Sequence, residues 1–520
     1  KSLLSYHSSP QRRRVEKLPP IPMRRRRVHH HVGQNPTKKR LGWRIALILA
    51  VLLLGGGGIL LKLRWHAWFG NAPEAPYIIA QEISRVTLTP GEDFTQARTL
   101  SWLCGEEPRT STLLVSRITA KGDTLRPRAF TPSAEVIASR SGKGCYYQVK
   151  LDSLNLGERY LYRIEVEGAR PYSDAFSMPS EAPQTNFIYL GDIQDPAVTE
   201  SKRNFDYLRR SPEAIDFFAF AGDQIEGPTD TYWRAWYESI GALSGEVPIL
   251  ATPGNHEYLK KGFARELDVR WVRQFGYPKN GPEDFLGRSY FIDFPLLRFI
   301  VLDTTDIMGL GSIRQHRSWL RKVLGESKQP WQIVLFHHAV DCVREGRKNL
   351  VMHYVFKDEL ISGGADLVLQ GHDHGYARAT TRTSEGDTIA PAFVISSASP
   401  KVYRNGFSSV HDRLGSGLQL YQRISIDSAE IRYASYRFPQ PIEGHRDSIV
   451  PEPRRLYDSI VLYKGEGGLV RIRDYARDLP ERFEFNAFGT DSKGRKRAAQ
   501  YAKEVRDRHE AQEERIRAKK

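Results

Sequence analysis

Apolar and small residues run from Ile45 to Leu61 with no charge, between Arg44 and Lys62. These 17 residues make about 26 Å of helix, enough to cross a hydrocarbon core. Trp43, Trp65 and Trp68 lie near its ends, where interfacial aromatics belong. Gly55 to Gly58 weaken the helix, but membrane helices tolerate glycine. After a Pro/Ala-rich linker near Asn71 to Pro76, the pattern from Tyr77 to Met178 changes to short β-branched and aromatic runs: RVTLTP, TLSWLC, STLLVSRI, CYYQVKL and RYLYRIEVEG. Gly, Pro, Asp and Ser clusters separate them, which predicts an all-β sandwich. From Asn186 onward, apolar runs end abruptly in polar clusters, and amphipathic stretches such as YWRAWYESI and RQHRSWLRKVL fall between some of them. This predicts an α/β layout of buried strands covered by helices.

The polar clusters carry the chemistry. FIYL leads into Asp192 and Gln194, IDFFAFA into Gly222-Asp223, and VPILATP into Gly254-Asn255-His256-Glu257. QIVLF leads into His337-His338, and ADLVLQ into Gly371-His372-Asp373-His374. In such sheets ligands collect beyond the strand C-termini, where all five clusters would lie. A single Gly-Asp after a strand is an ordinary turn, and a lone His-x-His pair is ordinarily packed. The five together, with carboxylate, amide and imidazole groups, suit Mn, Fe, Zn or similar ions. Two such ions clamp a phosphoryl oxygen and lower the pKa of water.

The net charge of +16 is unevenly placed. Residues 1–44 hold 13 Lys/Arg and one acid, leaving 64 basic and 60 acidic groups in the other 476. The globular surface is therefore close to neutral, and no nucleic-acid partner is expected. The proline-bearing arm of residues 1–42 reads as disordered and cytoplasmic. Its charge directs everything after the apolar segment across the membrane, to the periplasm or cell surface. The competing reading is a cleaved signal peptide, against which the long arm and the absence of an A-x-A site count. Three cysteines exclude a disulfide framework. Cys104 and Cys145 lie beside strands, and export permits a bridge between them, with two buried thiols as the alternative. Cys342 reads as an unpaired thiol.

The ordered motifs, with GRSYFIDFPLLRFIVLDT from Gly287 and APAFVISSASPKVY from Ala390, resemble the calcineurin-like metallophosphoesterase family. The upstream β-region narrows the likeness to its purple acid phosphatase branch, and residues 146–168 resemble late fibronectin type III strands. The resemblance implies a metallophosphoesterase β-sandwich flanked by helices over 185–465. An all-β fibronectin III-like sandwich over 75–180 and a transmembrane anchor over 43–64 precede it, and a charged extension over 466–520 follows. It implies that Asp223 bridges two metals, that Asp192 and His374 bind the first, and that Asn255, His337 and His372 bind the second. His256 would protonate the leaving oxygen, and His338 would pack nearby. Purple members place a metal-binding Tyr three residues after the bridging Asp; here that residue is Glu226. Losing the phenolate favours two divalent ions (Mn, Zn or Fe) over tyrosine-ligated ferric iron. Gln194, two residues past Asp192 on the same strand face, is the preferred replacement ligand, with Glu226 and Asp195 as alternatives. The implied activity is hydrolysis of small phosphate monoesters by metal-bound hydroxide. A phosphodiesterase or nucleotide pyrophosphatase on the same site, or a non-catalytic surface binding protein, are the rivals. The C-terminal segment from Lys493 has good helix formers but no core-facing stripe, which predicts a solvated helix. The sequence does not set an oligomeric state.

Overall fold

The computed structural model describes residues 36–211, 213–262, 264–309, 311–440 and 454–517. The arm expected to be disordered over residues 1–42 lies outside them up to residue 35, and residues 36–42 are helical instead. Two compact units divide the chain, residues 1–68 and 69–520.

The first unit's helix runs Pro36–Phe69. Within it, Ile45–Trp65 is long and apolar enough to span a membrane, and that window buries nothing against protein. A signal sequence would satisfy the same length and composition.

The second unit begins with two four-stranded antiparallel sheets. One joins Ser84–Pro90, Arg98–Leu103, Lys143–Leu151 and Ser133–Ala138 in that order; the other joins Arg128–Phe130, Ser111–Ile118, Arg159–Val166 and Tyr172–Ser177. Alternation along Arg159–Val166 sends Tyr160, Tyr162, Ile164 and Val166 inward, where they share a core with Leu88, Trp102 and Tyr147. The expected Cys104–Cys145 bridge is not formed. The residues are tied instead through their backbones, Cys104 N donating to Cys145 O at 3.1 Å. The Cys104 thiol donates to Gln81 O at 3.1 Å and accepts from Arg109 Nη2 at 2.8 Å.

The remaining chain builds a 15-stranded mixed sheet. Thr185–Leu190, Phe217–Phe220 and Ile249–Ala251 pair in parallel. Leu297–Leu302, Trp331–Phe336, Leu367–Gln370 and Thr388–Ile395 form a second parallel set. Antiparallel strands between Leu420 and Asp474 join the two sets. The sheet folds onto itself, so Phe299 of one set lies 5.7 Å from Phe187 and 5.5 Å from Phe217 of the other, centroid to centroid. Phe217–Phe220 is buried at every position because both of its faces are covered. The helices Asp230–Ile240 and Ile313–Gly325 fall where the amphipathic patterns predict.

Two sequence expectations need correction. Asn71 to Pro76, read as a linker, is docked: Asn71 exchanges two hydrogen bonds with the Lys260 backbone, each 2.8 Å. The C-terminal helix Ser492–Arg517 has no apolar stripe, yet it is fastened to the body. Tyr501 is buried among Phe407, Phe485 and Phe488. Arg508 pairs with buried Glu481 at 2.8 Å, and Glu504 with Arg404 at 2.8 Å. One aromatic anchor plus ion pairs holds it, a pattern that periodicity does not reveal.

Candidate metal centre

Each polar cluster sits just past a strand C-terminus, and the glycines in the motifs are there for space. A Cβ on Gly222 would lie 2.8 Å from His337 Nδ1, and one on Gly254 would lie 2.1 Å from Asp223 Oδ1. Asp223, His372 and His374 hold left-handed backbone with φ of 51°, 75° and 46°. Such conformations cost about 1–3 kcal/mol each and persist where the surroundings over-determine them. Here buried Glu257 accepts the N–H groups of Asp223 at 3.0 Å, Gln224 at 2.9 Å and Gly254 at 2.6 Å. Sequence reasoning passed over Glu257, although its place three residues after Gly254 is the spacing of a capping box.

The turns bring the predicted residues together. Asp192, Asp223 and His337 each offer a ligand atom within 4.8 Å of the others, and so do His337, His338 and His372. His337 Nε2 lies 3.3 Å from Asp223 Oδ2, 3.2 Å from Asn255 Oδ1 and 3.0 Å from His372 Nδ1. Asp192 Oδ1 lies 4.0 Å from both His337 Nδ1 and His374 Nε2. Backbone carbonyls aim three imidazoles. Nδ1 of His337 meets Ala221 O at 2.8 Å, Nδ1 of His374 meets Lys401 O at 2.9 Å, and Nδ1 of His256 meets Glu226 O at 2.5 Å. With Nδ1–H donating, Nε2 carries the lone pair that faces inward. His256 Nε2 then stands 3.8 Å from Asp223 Oδ2. His338 is packed, its ring 4.3 Å from that of His372 and its Nδ1 3.1 Å from Thr304 Oγ1.

The three candidates for the altered position differ sharply. Gln194 is buried, and neither Oε1 nor Nε2 has a hydrogen-bond partner among the described protein groups. Its backbone N donates to Asp223 O at 3.2 Å, tying it to the Asp223 turn. Glu226 is half-buried and ion-paired with Lys401 at 3.1 Å. Asp195 caps the helix Glu200–Arg209, its Oδ2 accepting from the N–H groups of Thr199, Glu200 and Ser201.

The electrostatics suit cations. Burial disfavours a charged ring at His337, but the Asp223 carboxylate outweighs it and raises the group to about 9. Burial also opposes charge on Asp223, yet His337 holds its carboxyl below the usual range. Asp192 is less fully compensated: burial, with repulsion from Asp223, pushes it well up despite His337 and the His372 N–H, and its Oδ1 has no hydrogen-bond partner among the described residues. Burial takes His374 down to about 3 and His372 well below its ordinary value, so both are neutral donors. Two buried carboxyl groups thus lie against His337, beside neutral imidazoles and buried oxygens without a hydrogen-bond partner. That donor set fits hard and borderline divalent ions.

Residues 185–376 match the calcineurin-like phosphoesterase family. Among curated proteins, purple acid phosphatase 18 of Arabidopsis thaliana is 26% identical over 280 residues, covering 50% of this chain and 59% of that protein. Purple acid phosphatase 15 of the same plant is 21% identical over 178 residues, 31% of each. The chain therefore spans less than two thirds of either relative. Among solved structures, purple acid phosphatase PPD1 from yellow lupin (Lupinus luteus) seeds superposes with a TM-score of 0.55 at 15% identity, covering 69% of this chain and 72% of that one. PhoD gives 0.53 at 12% identity, covering 85% and 100%. The strand-end motifs, the two-set sheet and these likenesses agree: the chain carries a calcineurin-like phosphoesterase domain over residues 185–376, homologous to that of purple acid phosphatases.

Proposed function

We propose that this chain is a binuclear metal-dependent phosphatase acting on phosphate monoesters. Asp192, Gln194 and His374 would hold the first ion, Asn255, His337 and His372 the second, and Asp223 both. The observation that carries this reading is the convergence of Asp192, Asp223 and His337 within 4.8 Å at the ends of two parallel strand sets. When bound, two divalent ions (Mn, Zn or Fe) offset charge on phosphoryl oxygens and lower the pKa of water. The protein supplies the rest. Glu257 and the glycines fix the turns, and backbone carbonyls fix the ring orientations. His256, with 24% of its side chain exposed, presents Nε2 to the leaving oxygen. The test is turnover by the full chain, loaded with Mn, Zn or Fe, on matched mono- and diesters. Faster diester cleavage, or none of either, would overturn the reading.

We read the region of residues 75–180 as a fibronectin III-like domain, and the catalytic domain as starting at 185 and running past the expected end at 465, because the strand Val470–Asp474 belongs to its sheet. We read the apolar helix as a single-pass anchor that leaves the catalytic domain outside the cytoplasm. An exposed apolar window and the basic residues before it support the anchor. Protease added to intact cells should reach the region after Arg64; a mature chain beginning near Asn71 would instead mean a cleaved signal.

Two substitutions probe the residue roles. His256→Ala should lower kcat about a hundredfold while metal content holds, because general-acid help typically contributes that much or more. The loss should shrink for a good leaving group such as p-nitrophenolate; equal loss on all esters would remove His256 from the acid role. Gln194→Ala should weaken the first ion roughly tenfold or more, read by elemental analysis at limiting metal. Glu226→Ala should leave metal content intact, since that carboxylate is engaged by Lys401. The reverse order would make Glu226 the ligand.

A further inference from the structure

A second anion-seeking feature lies away from the metal centre. An open cleft of about 680 Å³ separates the C-terminal helix from the sheet edge. Arg378, Arg382 and Arg413 line it from the strands Gly375–Arg382 and Arg413–Ser416. Arg473 and Arg477 line a second side, and Arg508 and Arg515 project from the helix. Only two acids, Asp412 and Asp474, line the same space. Strand Gly375–Arg382 starts immediately after His374, so Arg378 and Arg382 lie about 13 Å and about 26 Å along it at 3.3 Å per residue. The cleft is thus distinct from the metal centre.

The arginines do not reflect a basic protein, since the chain beyond residue 44 is nearly balanced. Nor are they all neutralised. Arg378 pairs with Asp458 and Asp474, Arg382 with Asp412, and Arg508 with Glu481. Among the described residues Arg473 meets tyrosines, the Tyr475 hydroxyl at 3.4 Å and the Tyr463 ring, and no carboxylate. Arg477 and Arg515 have no ion pair among the described residues. Arg413 is 3% exposed and gives its Nη groups to the Ala476, Leu479 and Pro480 carbonyls, while its Nε, 3.8 Å from Asp458, has no hydrogen-bond partner among the described residues. Seven guanidiniums against the four carboxylates that pair with them leave about three positive charges around one space, and their repulsion is relieved by an anion. Guanidinium forks match phosphate and sulfate oxygens, and several forks around one space favour several such groups on one molecule.

We infer that this cleft binds a small anion carrying several phosphate or sulfate groups, independently of the metal centre. A free molecule and a lipid head group share this chemistry. The probe is inositol hexasulfate, which a phosphatase does not consume, titrated calorimetrically into the full chain at 0.15 M salt. One site is expected, with Arg477→Gln/Arg515→Gln weakening it at least tenfold while turnover of a small phosphomonoester is unchanged. Both side chains are surface groups, so the fold should survive, and an unchanged melting temperature checks this. Asp223→Asn should leave hexasulfate binding intact. Displacement of the hexasulfate held at this site by vesicles containing phosphatidylinositol bisphosphate, and not by vesicles without it, would assign a lipid source. Hexasulfate binding without such displacement would assign a free one. Unchanged affinity in the double variant, loss of affinity in Asp223→Asn, or no binding of either probe would overturn the inference.

Discussion

Asp223→Asn is expected to lower turnover by about a thousandfold or more and to cost the protein at least one metal ion. The argument is electrostatic. Asp223 Oδ2 lies 3.3 Å from His337 Nε2 and 3.8 Å from His256 Nε2, while Oδ1 accepts the His256 N–H at 3.0 Å. An Asn can keep the last contact, so the turn should hold its shape. What disappears is the negative charge shared by the groups around it. Only Asp192 would then offer a carboxylate to two cations, and their mutual repulsion would be less compensated. Elemental analysis should fall below two metals per chain, with an unchanged melting profile showing that the fold is intact. Two metals and undiminished turnover in this variant would show that Asp223 is not the shared ligand.

Much of this centre was legible in the sequence because strand-end chemistry is local. Gly222-Asp223 and Gly371-His372-Asp373-His374 join each candidate ligand to the residue that makes its turn possible. A Cβ at Gly222 would clash with Gly254 and His337, and one at Gly371 would crowd Ala221 O and Asp192 Oδ2 at 3.0 Å, so motif and geometry are one fact read twice. The adjacent runs, such as QIVLF and ADLVLQ, are strands because they are buried on both faces. What the sequence did not reveal depends on distant partners. Lys401, which engages Glu226, is 175 residues away. That pairing weighs against Glu226 as a ligand, and no local pattern could have shown it. Tyr501 anchors the terminal helix as a lone aromatic with no periodic companions. Asp195 looked like a ligand candidate from spacing alone, yet the start of a helix four residues past Pro196 gives it capping work.

The same kind of long-range assembly leads to the largest expected loss of stability. Arg270→Ala should destabilise the folded chain by about 3–5 kcal/mol, since it removes one side of a buried ionic cluster. Arg270 is 1% exposed and reaches three carboxylates from three segments. Nη2 donates to Glu74 Oε1 at 2.8 Å, Nη1 to Asp268 Oδ2 at 2.9 Å, and Nε to Asp230 Oδ2 at 3.1 Å. Arg85, from the first strand of the all-β region, adds a bond to Asp230 Oδ1 at 2.8 Å. Ser141 of the same region donates to Asp230 Oδ2 at 2.6 Å. Glu74, Arg85 and Ser141 thus meet Asp230, Asp268 and Arg270 in one dry cluster that ties the all-β region to the large sheet. Without Arg270, three carboxylates face Arg85, at Asp230, and the more exposed Arg140, 3.6 Å from Glu74, and Asp268 loses its ion-pair partner. Burial tends to raise Asp230, but Arg85 and Arg270 hold its carboxyl below the ordinary range. In the wild type that contribution is present above the unfolded pKa and lost as pH falls through the folded value. Asp268 runs the other way, raised by burial to about 6 despite Arg270. Removing the guanidinium pushes both carboxyls up, so the variant is relieved by protonation that the wild type does not need. The gap between their urea midpoints should therefore narrow from pH 7 to pH 5. Arg270→Lys, which keeps the charge but loses the fork, should fall between them. A midpoint for Arg270→Ala within error of wild type at pH 7 would mean that the cluster is satisfied without Arg270.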